Sequence, residues 1–199
     1  MRSMAFSEAI QKLDAYWLYL VNRRWSNPVF DTVVPWLRYQ EVWYPCYIFL
    51  IAFALINFGK RGGWWIAGFI ATIGLSDTVS SRLIKLSVER LRPCNNVDVL
   101  QFLQLRVTHC SGGYSFTSSH AANHFAMATF IAITLQPIVG KKIKWVYVWA
   151  ASIAYAQVYV GVHYPIDVIG GSLVGIAIGW VTGNYFNKKI GLKGLGTHA

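Results

Sequence analysis

Long apolar runs without charged residues are the feature that most constrains the fold of this chain. Residues 42–59 form one such run of 18 residues, which as an α-helix is long enough for roughly 30 Å of hydrocarbon. Four further runs follow, at residues 62–76, 118–135, 145–162 and 168–186. We therefore predict an all-α fold, a polytopic transmembrane helix bundle with about five spans.

The N-terminal part has a different pattern. Ile10, Leu13 and Trp17 recur at helical spacing, charged residues interrupt them, and Pro28 separates two short pieces. Such pieces are typical of amphipathic helices that lie in the membrane interface. The sequence thus divides into N-terminal interfacial amphipathic helices at residues 1–38, a transmembrane domain at 39–190 and a C-terminal tail at 191–199.

Composition and charge agree with a membrane protein. Of the 199 residues, 55% are hydrophobic and 13% charged, and the formal net charge is +10. The basic residues form short clusters between apolar runs, which favours membrane lipids and an anionic substrate as partners and no nucleic acid. The N-terminus lacks the apolar core and small-residue cleavage site of a signal peptide, so we expect the first spans to direct insertion.

The distribution of lysine and arginine predicts the orientation in the membrane. A count of the predicted spans places three clusters of basic residues on the same side of the membrane. By the positive-inside rule we expect that side to be cytoplasmic. The outer side receives the ends of the second and fourth spans, although three arginines of the N-terminal pieces also fall there, against the rule. We predict a multi-pass protein of the bacterial inner membrane whose polar site faces the periplasm. The three basic groups are Lys60 with Arg61; Lys141, Lys142 and Lys144; and Lys188, Lys189 and Lys193.

Two features inside the spans have structural interpretations. Asp77 and Arg82 interrupt the far end of the second run, and because charges are costly in lipid they either contact each other or take part in a site. In the last run, small residues recur every four positions, which favours close packing of another helix rather than chemistry. These residues are Gly171, Gly175, Gly179 and Gly183.

Three cysteines are too few for a disulfide framework, and no Cys-x2-Cys pair suggests zinc. Cys46 lies in an apolar run, where we expect it only to pack. Cys94 and Cys110 bracket one polar loop. A bridge between them is one way to hold this loop in an oxidising space, and the apolar stretch 97–105 is another.

Polar groups converge at the outer ends of the runs. Lys85 and Arg92 stand at the mouth of the second run, where two cations suit a phosphoryl group. Ser118, Ser119 and His120 begin the third run, where free backbone N–H groups and the positive end of a helix dipole face an anion. Each group alone is typical of a helix flank or cap, so the argument depends on their combination.

His163 is the strongest candidate for a reactive group. Pro165 suits the first turn of a helix, so Asp167 is expected in that turn, close enough to reach back to His163. A carboxylate there holds one ring nitrogen and leaves the other free to attack or to accept a proton.

Together these groups resemble the type-2 phosphatidic acid phosphatase superfamily, whose lipid phosphatases share a fold core with bacterial acid phosphatases and vanadium haloperoxidases. The resemblance covers residues 85–167. The family's first motif, Lys-x6-Arg-Pro, is matched by Lys85, Arg92 and Pro93. Its second, Pro-Ser-Gly-His, is matched in part, by Ser118 and His120, with Thr117 and Ser119 in place of proline and glycine.

The third motif, Ser-Arg-x5-His-x3-Asp, is matched at His163 and Asp167, but Ala156 and Gln157 stand in place of Ser-Arg. An arginine offers a charged fork, whereas glutamine offers a neutral amide donor, so the phosphate slot has lost a formal charge. Arg82, Arg90 and Arg106 are the candidates to compensate for this loss.

The resemblance implies a role for each group. His163 is expected to attack phosphorus and form a phosphohistidine, with Asp167 orienting the ring. His120 is expected to protonate the leaving oxygen and later to activate water. The phosphoryl oxygens are assigned to Lys85, Arg92, the Ser118 hydroxyl, the Ser119 backbone N–H and the Gln157 amide. Family members of this kind need no metal, and no cofactor is expected.

The expected function is that of an integral-membrane lipid phosphatase, with undecaprenyl diphosphate as the first substrate to consider. Phosphatidate, phosphatidylglycerol phosphate and lipid A are the alternatives. Two other classes fit parts of the sequence. His120 and His124, together with His163 and Asp167, are able to form a metal site, and Asp77 with Arg82 is able to line a path through a lipid-binding or transport bundle.

Overall fold

The computed structural model describes residues 6–192, and helices are the only regular elements within that range. The predicted all-α fold is confirmed. The helices are α1 (Glu8–Tyr19), α2 (Pro28–Leu37), α3 (Tyr44–Thr78), α4 (Lys85–Val88), α5 (Val97–Leu100), α6 (Ser119–Val139), α7 (Val146–Tyr159) and α8 (Pro165–Lys189). Short π-helical turns extend α1 (Leu20–Arg24) and α3 (Val79–Ile84), and 3-10 turns lie at Gln40–Trp43, Pro93–Asn95 and Lys141–Trp145.

Helix α3 consists of two legs that fold back on each other. Gly59 has φ 50° and ψ −123°, a conformation outside the helical region. A Cβ on Gly62 would lie 1.9 Å from the carbonyl oxygen of Ala54. In a straight helix residues eight positions apart are roughly 12 Å apart, so this approach requires the chain to reverse. The two legs correspond to the first two predicted runs.

The predicted count of about five spans is not confirmed by length and composition alone. Three described stretches are long and apolar enough to cross a membrane, namely Gln40–Leu100, Ser119–Val139 and Pro165–Lys189, and the first contains both legs of α3. The predicted run 145–162 forms only the 14-residue helix α7, which spans about 21 Å. It is shortened because a 3-10 turn occupies its start and a turn at Gly161, with φ 85°, follows its end.

Helices α6 and α8 form the centre of the bundle through the predicted glycine stripe. A Cβ at Gly171, Gly175 or Gly179 would lie 2.4, 2.1 or 2.4 Å from carbonyl oxygens of α6. Any larger side chain at these positions would push the two backbones apart. The stripe is therefore packing, as predicted, and it fixes the start of α8, with Asp167, against the start of α6.

Large apolar side chains remain exposed on the outer faces of the helices. Ile56 is 77% exposed, and Trp64 and Trp180 are 62% and 61% exposed. A soluble protein rarely leaves such surface open, whereas a lipid-facing surface requires it. Cys46 is a free cysteine exposed on α3 as well.

The N-terminal helices pack against the site end of the bundle. Leu18 and Val21 join a buried apolar cluster with Ala156, Tyr159 and Tyr164. The interfacial position predicted for residues 1–38 stays a prediction, but α1 also contributes to the protein core. The predicted tail, residues 191–199, lies outside the described residues from Lys193 onward.

Candidate active site

His163 lies in the turn between α7 and α8. The backbone N–H groups of Val162 and His163 both donate to the carbonyl oxygen of Gln157, at 3.2 and 3.3 Å. Tyr164 is the N-cap of α8 and Pro165 its first residue, as the fixed φ of proline favours. This turn points the His163 ring inward, where it is 2% exposed.

Asp167 reaches back toward His163 as predicted. Its Oδ2 lies 3.6 Å from Nδ1 of His163. The same oxygen accepts hydrogen bonds from the Tyr164 backbone N–H at 2.9 Å and from the Ser115 hydroxyl at 2.5 Å. The Ser115 oxygen is itself 3.4 Å from Nδ1. The carboxylate is thus fixed by backbone and side-chain donors, and the imidazole lies against it.

The protonation state of His163 follows from its neighbours. Nε2 lies 3.0 Å from Nη1 of Arg92, and because a guanidinium only donates, Nε2 must accept. The ring proton then sits on Nδ1, facing Asp167 and Ser115. Burial lowers the pKa of His163 from 6.5 to about 4, the positive charge of Arg92 acts in the same direction, and the bond to Asp167 opposes it. The ring is therefore neutral near pH 7, with the Nε2 lone pair available.

Arg92 is held almost entirely by main-chain oxygens. It donates to the carbonyl of Val162 at 3.1 Å and to those of Gly112 and Gly113 at 3.3 Å each. The Cys94–Cys110 disulfide closes the loop that ends just before these glycines, so the bridge, one of the two ways considered for holding this loop, is formed. Arg92 is 5% exposed, and it has no carboxylate within ion-pair distance among residues 6–192.

Sequence reasoning missed a chain of ion pairs behind Asp167. Arg90 donates to Oδ1 of Asp167 at 2.7 Å and to Oδ2 of Asp14 at 2.6 Å. The other Asp14 oxygen accepts the backbone N–H of Ile166 at 3.0 Å. Both carboxylates are buried. A signal existed in the sequence, since Asp14 lies on the same face of α1 as the buried Leu18.

The start of α6 forms the opposite wall of the site. Ser118 caps the helix, its hydroxyl oxygen accepting from the Ala121 backbone N–H at 3.4 Å, and its own N–H donates to the Asp167 carbonyl at 2.9 Å. The hydroxyl proton of Ser118 remains free to donate. Ser119 exchanges a hydrogen bond with Ser81 at 2.9 Å.

A cavity of about 660 Å³ opens beside His120, which is the second residue of α6. Its length is lined by apolar side chains from both legs of α3 and from α6, including Leu50, Ile66, Phe69 and Met127. We call its polar lining the polar end, which contains His120 and one cation, Arg38, with two carboxylates and neutral polar groups: Glu41, Asp77, Gln40, Ser119 and Asn123. An apolar passage that ends at a histidine and a cation has the form expected of a site for a lipid with an anionic head.

Asp77 lines this cavity rather than pairing with Arg82. Its Oδ1 accepts from the Ser81 hydroxyl and the Asn123 amide, each at 3.2 Å. No ion pair joins it to Arg82 within the described range. Of the two interpretations of Asp77, the contact with Arg82 is wrong, because hydroxyl and amide donors of α6 and the π-helical turn satisfy the carboxylate instead.

The last two predicted site residues have no hydrogen-bond or ion-pair partner for their side chains within residues 6–192. Lys85 is half-buried in α4, makes no ion pair among the described residues, and lies close enough to Arg92 and Asp77 for their charges to act on it. Gln157 is fully buried on α7, and neither atom of its amide has a hydrogen-bond partner within residues 6–192. Buried polar groups without partners are uncommon in folded proteins.

The alternative metal site is not assembled in the described part of the chain. No group of three or more His, Cys, Asp or Glu side chains is placed to hold a metal ion in residues 6–192. His124 instead shares a 2.8 Å hydrogen bond with the carbonyl of His120, and its ring lies 5.1 Å from that of Trp149.

The structure thus brings together a buried His–Asp pair, a guanidinium on the histidine and a second histidine that lines an apolar cavity. The family model of the PAP2 superfamily matches residues 62–190, so the chain belongs to this superfamily. Its relatives are membrane lipid phosphatases.

Three individual proteins show the similarity in detail. The lipid A 4′-phosphatase of Bacteroides thetaiotaomicron is 28% identical over 78% of this chain and 69% of its own length. The undecaprenyl-diphosphatase of Sulfolobus acidocaldarius is 31% identical over 72% of this chain and 63% of its own length. The crystal structure of a PAP2-type phosphatidylglycerolphosphate phosphatase from Bacillus subtilis matches 92% of this chain and 89% of that one, with a TM-score of 0.67 and 22% identity. At that identity the match supports the fold.

Proposed function

We propose that this protein removes a phosphate from a lipid phosphate or diphosphate through a phosphohistidine on His163. The observation that carries the proposal is the state of His163, whose Nε2 lone pair is held by Arg92 while Asp167 and Ser115 face the protonated Nδ1. A neutral imidazole with a fixed tautomer is what nucleophilic attack on phosphorus requires.

The reaction has two steps. In the first, a phosphoryl oxygen replaces His163 as the acceptor of the Arg92 bond, Nε2 forms a bond to phosphorus, and the bond from phosphorus to the leaving oxygen breaks. That oxygen is the ester oxygen of a monophosphate or the bridging oxygen of a diphosphate. His120 gives its proton to that leaving oxygen. In the second step water attacks phosphorus, His120 takes a proton from the water, and the N–P bond breaks to release phosphate. Asp167 stabilises the positive charge that develops on the His163 ring in the first step.

The proposed phosphoryl pocket is built from fixed donors. Arg92 and Lys85 supply charge, and the Ser118 hydroxyl and the Ser119 backbone N–H lie at the positive end of α6. Gln157 contributes a neutral amide donor. This amide has no hydrogen-bond partner within residues 6–192, and it would donate to a phosphoryl oxygen that enters the pocket. These side chains provide every role in the two steps, so we propose a metal-independent reaction, to be tested by activity in the presence of a chelator.

We propose undecaprenyl diphosphate as the first substrate, at a site facing the periplasm. The undecaprenyl-diphosphatase relative and the long apolar cavity beside His120 support it. Lipid A 4′-phosphate is the second candidate, supported by the Bacteroides relative. Poor labelling of Lys141 and Lys188 by an impermeant reagent on intact cells is expected for the proposed orientation, and ready labelling would overturn it.

The function is tested by phosphate release from purified protein on a panel of lipids. The panel contains undecaprenyl diphosphate, lipid A, phosphatidylglycerol phosphate and phosphatidate. Rapid quench with a labelled substrate should trap label on His163, and His163→Ala should reduce turnover by roughly 10⁴-fold or more. His109→Ala, at an exposed histidine outside the site, is the matched control. Label on another residue, or normal turnover in His163→Ala, would contradict the mechanism.

A further inference from the structure

The missing charge at Gln157 is not supplied by any of the three arginines expected to compensate. Arg90 is neutralised by Asp14 and Asp167. Arg106 is paired with Asp31 at 2.6 Å and bonded to the main chain. Arg82 is exposed on the π-helical turn and does not line the cavity. A phosphate at His163 therefore needs its further cation from elsewhere.

Arg38 is a fourth arginine, and it lies in the site. It follows the last residue of α2 and lines the polar end of the cavity together with His120. It is also close enough to His120 and Arg92 for its charge to act on both. The N-terminal part of the chain thus delivers a guanidinium to the histidine proposed as general acid.

Arg38 has no anionic partner in the described part of the chain. No carboxylate of residues 6–192 lies within ion-pair distance of it, and its Nε is buried without a hydrogen-bond partner. Its guanidinium carbon lies 5.8 Å from the centre of the Tyr39 ring. Burying an unpaired cation is costly, and an arrangement of this kind becomes favourable when an anion binds.

We propose that Arg38 binds the phosphoryl group on the cavity side of the site, supplying the charge that Gln157 lacks. This inference rests on the proposed function. Arg38, Lys85 and Arg92 then form a three-cation cluster around the two histidines, and none of the three has a carboxylate partner among the described residues. A guanidinium presents parallel N–H groups that match two oxygens of a phosphate. The lipid enters along the apolar cavity, so its head group meets Arg38 next to His120.

Orthovanadate, a phosphate analogue, provides the test, because its inhibition constant reports binding at the phosphoryl pocket. Arg38→Gln should weaken vanadate inhibition by roughly 10- to 100-fold, and Arg38→Lys should restore part of it. Arg82→Gln, at an exposed arginine away from the cavity, should change it by less than about twofold. The melting temperature should stay level or rise in Arg38→Gln, since the variant removes an unpaired, half-buried cation. A residue with a purely structural role would lower it.

The failure of this proposal is distinguishable from failure of the proposed function. If the protein hydrolyses lipid phosphates and Arg38→Gln binds vanadate like the wild type, Arg38 is not a phosphoryl ligand and the function stands. If the wild type hydrolyses no lipid of the panel, vanadate binding is measured by its protection against thermal unfolding. Protection that Arg38→Gln loses and Arg82→Gln keeps would support Arg38 as an anion ligand even then, and equal protection in both variants would overturn it.

Discussion

Two arginines only two positions apart, Arg90 and Arg92, have opposite surroundings. Both side chains are buried, each with 5% of the residue exposed. Arg90 lies between two carboxylates, those of Asp14 and Asp167. Arg92 contacts three carbonyl oxygens and the His163 ring, and no carboxylate of the described residues lies within ion-pair distance. The same residue type, in the same segment, is neutralised in one case and left charged in the other.

These different surroundings suit the two arginines to different roles: Arg90 positions Asp167, and Arg92 is able to bind an anion. A buried guanidinium between two carboxylates cannot release either without leaving an uncompensated charge, so Arg90 fixes the Asp167 carboxylate through a rigid network. A guanidinium held by carbonyl dipoles is located in space but keeps its net charge. Arg92 is therefore able to take up an anion without breaking an ion pair, and Arg38 and Lys85 share this property.

The largest effect is expected when the unneutralised arginine is changed. Arg92→Gln keeps an amide donor near Val162 but removes the charge from the phosphoryl pocket. We expect kcat/KM to fall by roughly 10²- to 10³-fold, as for the loss of one donor to transition-state charge, with vanadate inhibition weakened in parallel. A fall in kcat/KM with unchanged vanadate inhibition would contradict the conclusion that Arg92, unlike Arg90, binds the phosphoryl group.

Asp14→Asn tests the neutralised side of the comparison. The asparagine retains an acceptor for the Ile166 N–H but leaves Arg90 with one carboxylate, and breaking a buried pair costs roughly 3 kcal/mol or more. We expect a lower melting temperature and a roughly tenfold lower kcat with nearly unchanged vanadate affinity, because Arg90 and Asp14 position Asp167 and touch no substrate. Asp14→Glu should recover part of the kcat.

Asp98→Asn is the matched control for this variant, since Asp98 is an exposed aspartate on α5. It should leave both the melting temperature and kcat within about twofold of the wild type. If Asp14→Asn weakened vanadate binding as strongly as Arg92→Gln does, the paired arginine would belong to the phosphoryl pocket and the separation of roles would be wrong.

Much of the fold could be predicted because local patterns determine it. The apolar runs, the glycine stripe of α8 and the Pro165 start that brings Asp167 under His163 all depend on residues close in sequence. The number of stretches long enough to cross a membrane and the shortness of α7 depend on turns such as the one at Gly161. No periodicity in the sequence shows where such a turn lies relative to a membrane boundary. The fold-back at Gly59 was indicated only by the short gap between two runs.

The site was predictable for the motif residues and not for their supports. Asp14 and Arg38 come from helices more than 75 residues before His163 in the sequence, and only tertiary packing shows that α1 and α2 reach the site. The amphipathic pattern of residues 7–38 predicts a helix with one apolar face, but a face that packs on protein and a face that packs on lipid are equally apolar.

A smaller effect is expected at Gln157. A neutral hydrogen bond contributes roughly 0.5–1.5 kcal/mol, so Gln157→Ala should weaken phosphate inhibition and turnover several-fold, much less than Arg92→Gln. Gln157→Arg adds the charge found in the family motif, and we expect it to tighten vanadate binding several-fold unless the longer side chain overpacks the buried position. The alanine variant is therefore decisive. Wild-type phosphate inhibition and turnover in Gln157→Ala would show that Gln157 does not touch the substrate.

The smallest expected effect is on kcat/KM at acid pH, because burial and the charge of Arg92 lower the pKa of His163. An ordinary histidine, with a pKa of 6.5, would be almost fully protonated at about pH 5 and would lose roughly 30-fold in nucleophile concentration. Burial and Arg92 lower the pKa of His163 to about 4, so kcat/KM should lose only about a tenth between pH 7 and pH 5 through this group.

The stability of the fold should also decrease at acid pH. Because the unfolded state binds the proton first as the pH falls from 6.5 toward 4, the folded state loses stability in that window. The acid limb of kcat/KM against pH measures the pKa of His163. In Arg92→Gln the acid limb should move upward, toward 6.5, whereas in Asp98→Asn it should stay in place. An acid limb near 6.5 in the wild type would mean that the Arg92 charge and the burial of His163 do not act on the nucleophile as the geometry indicates.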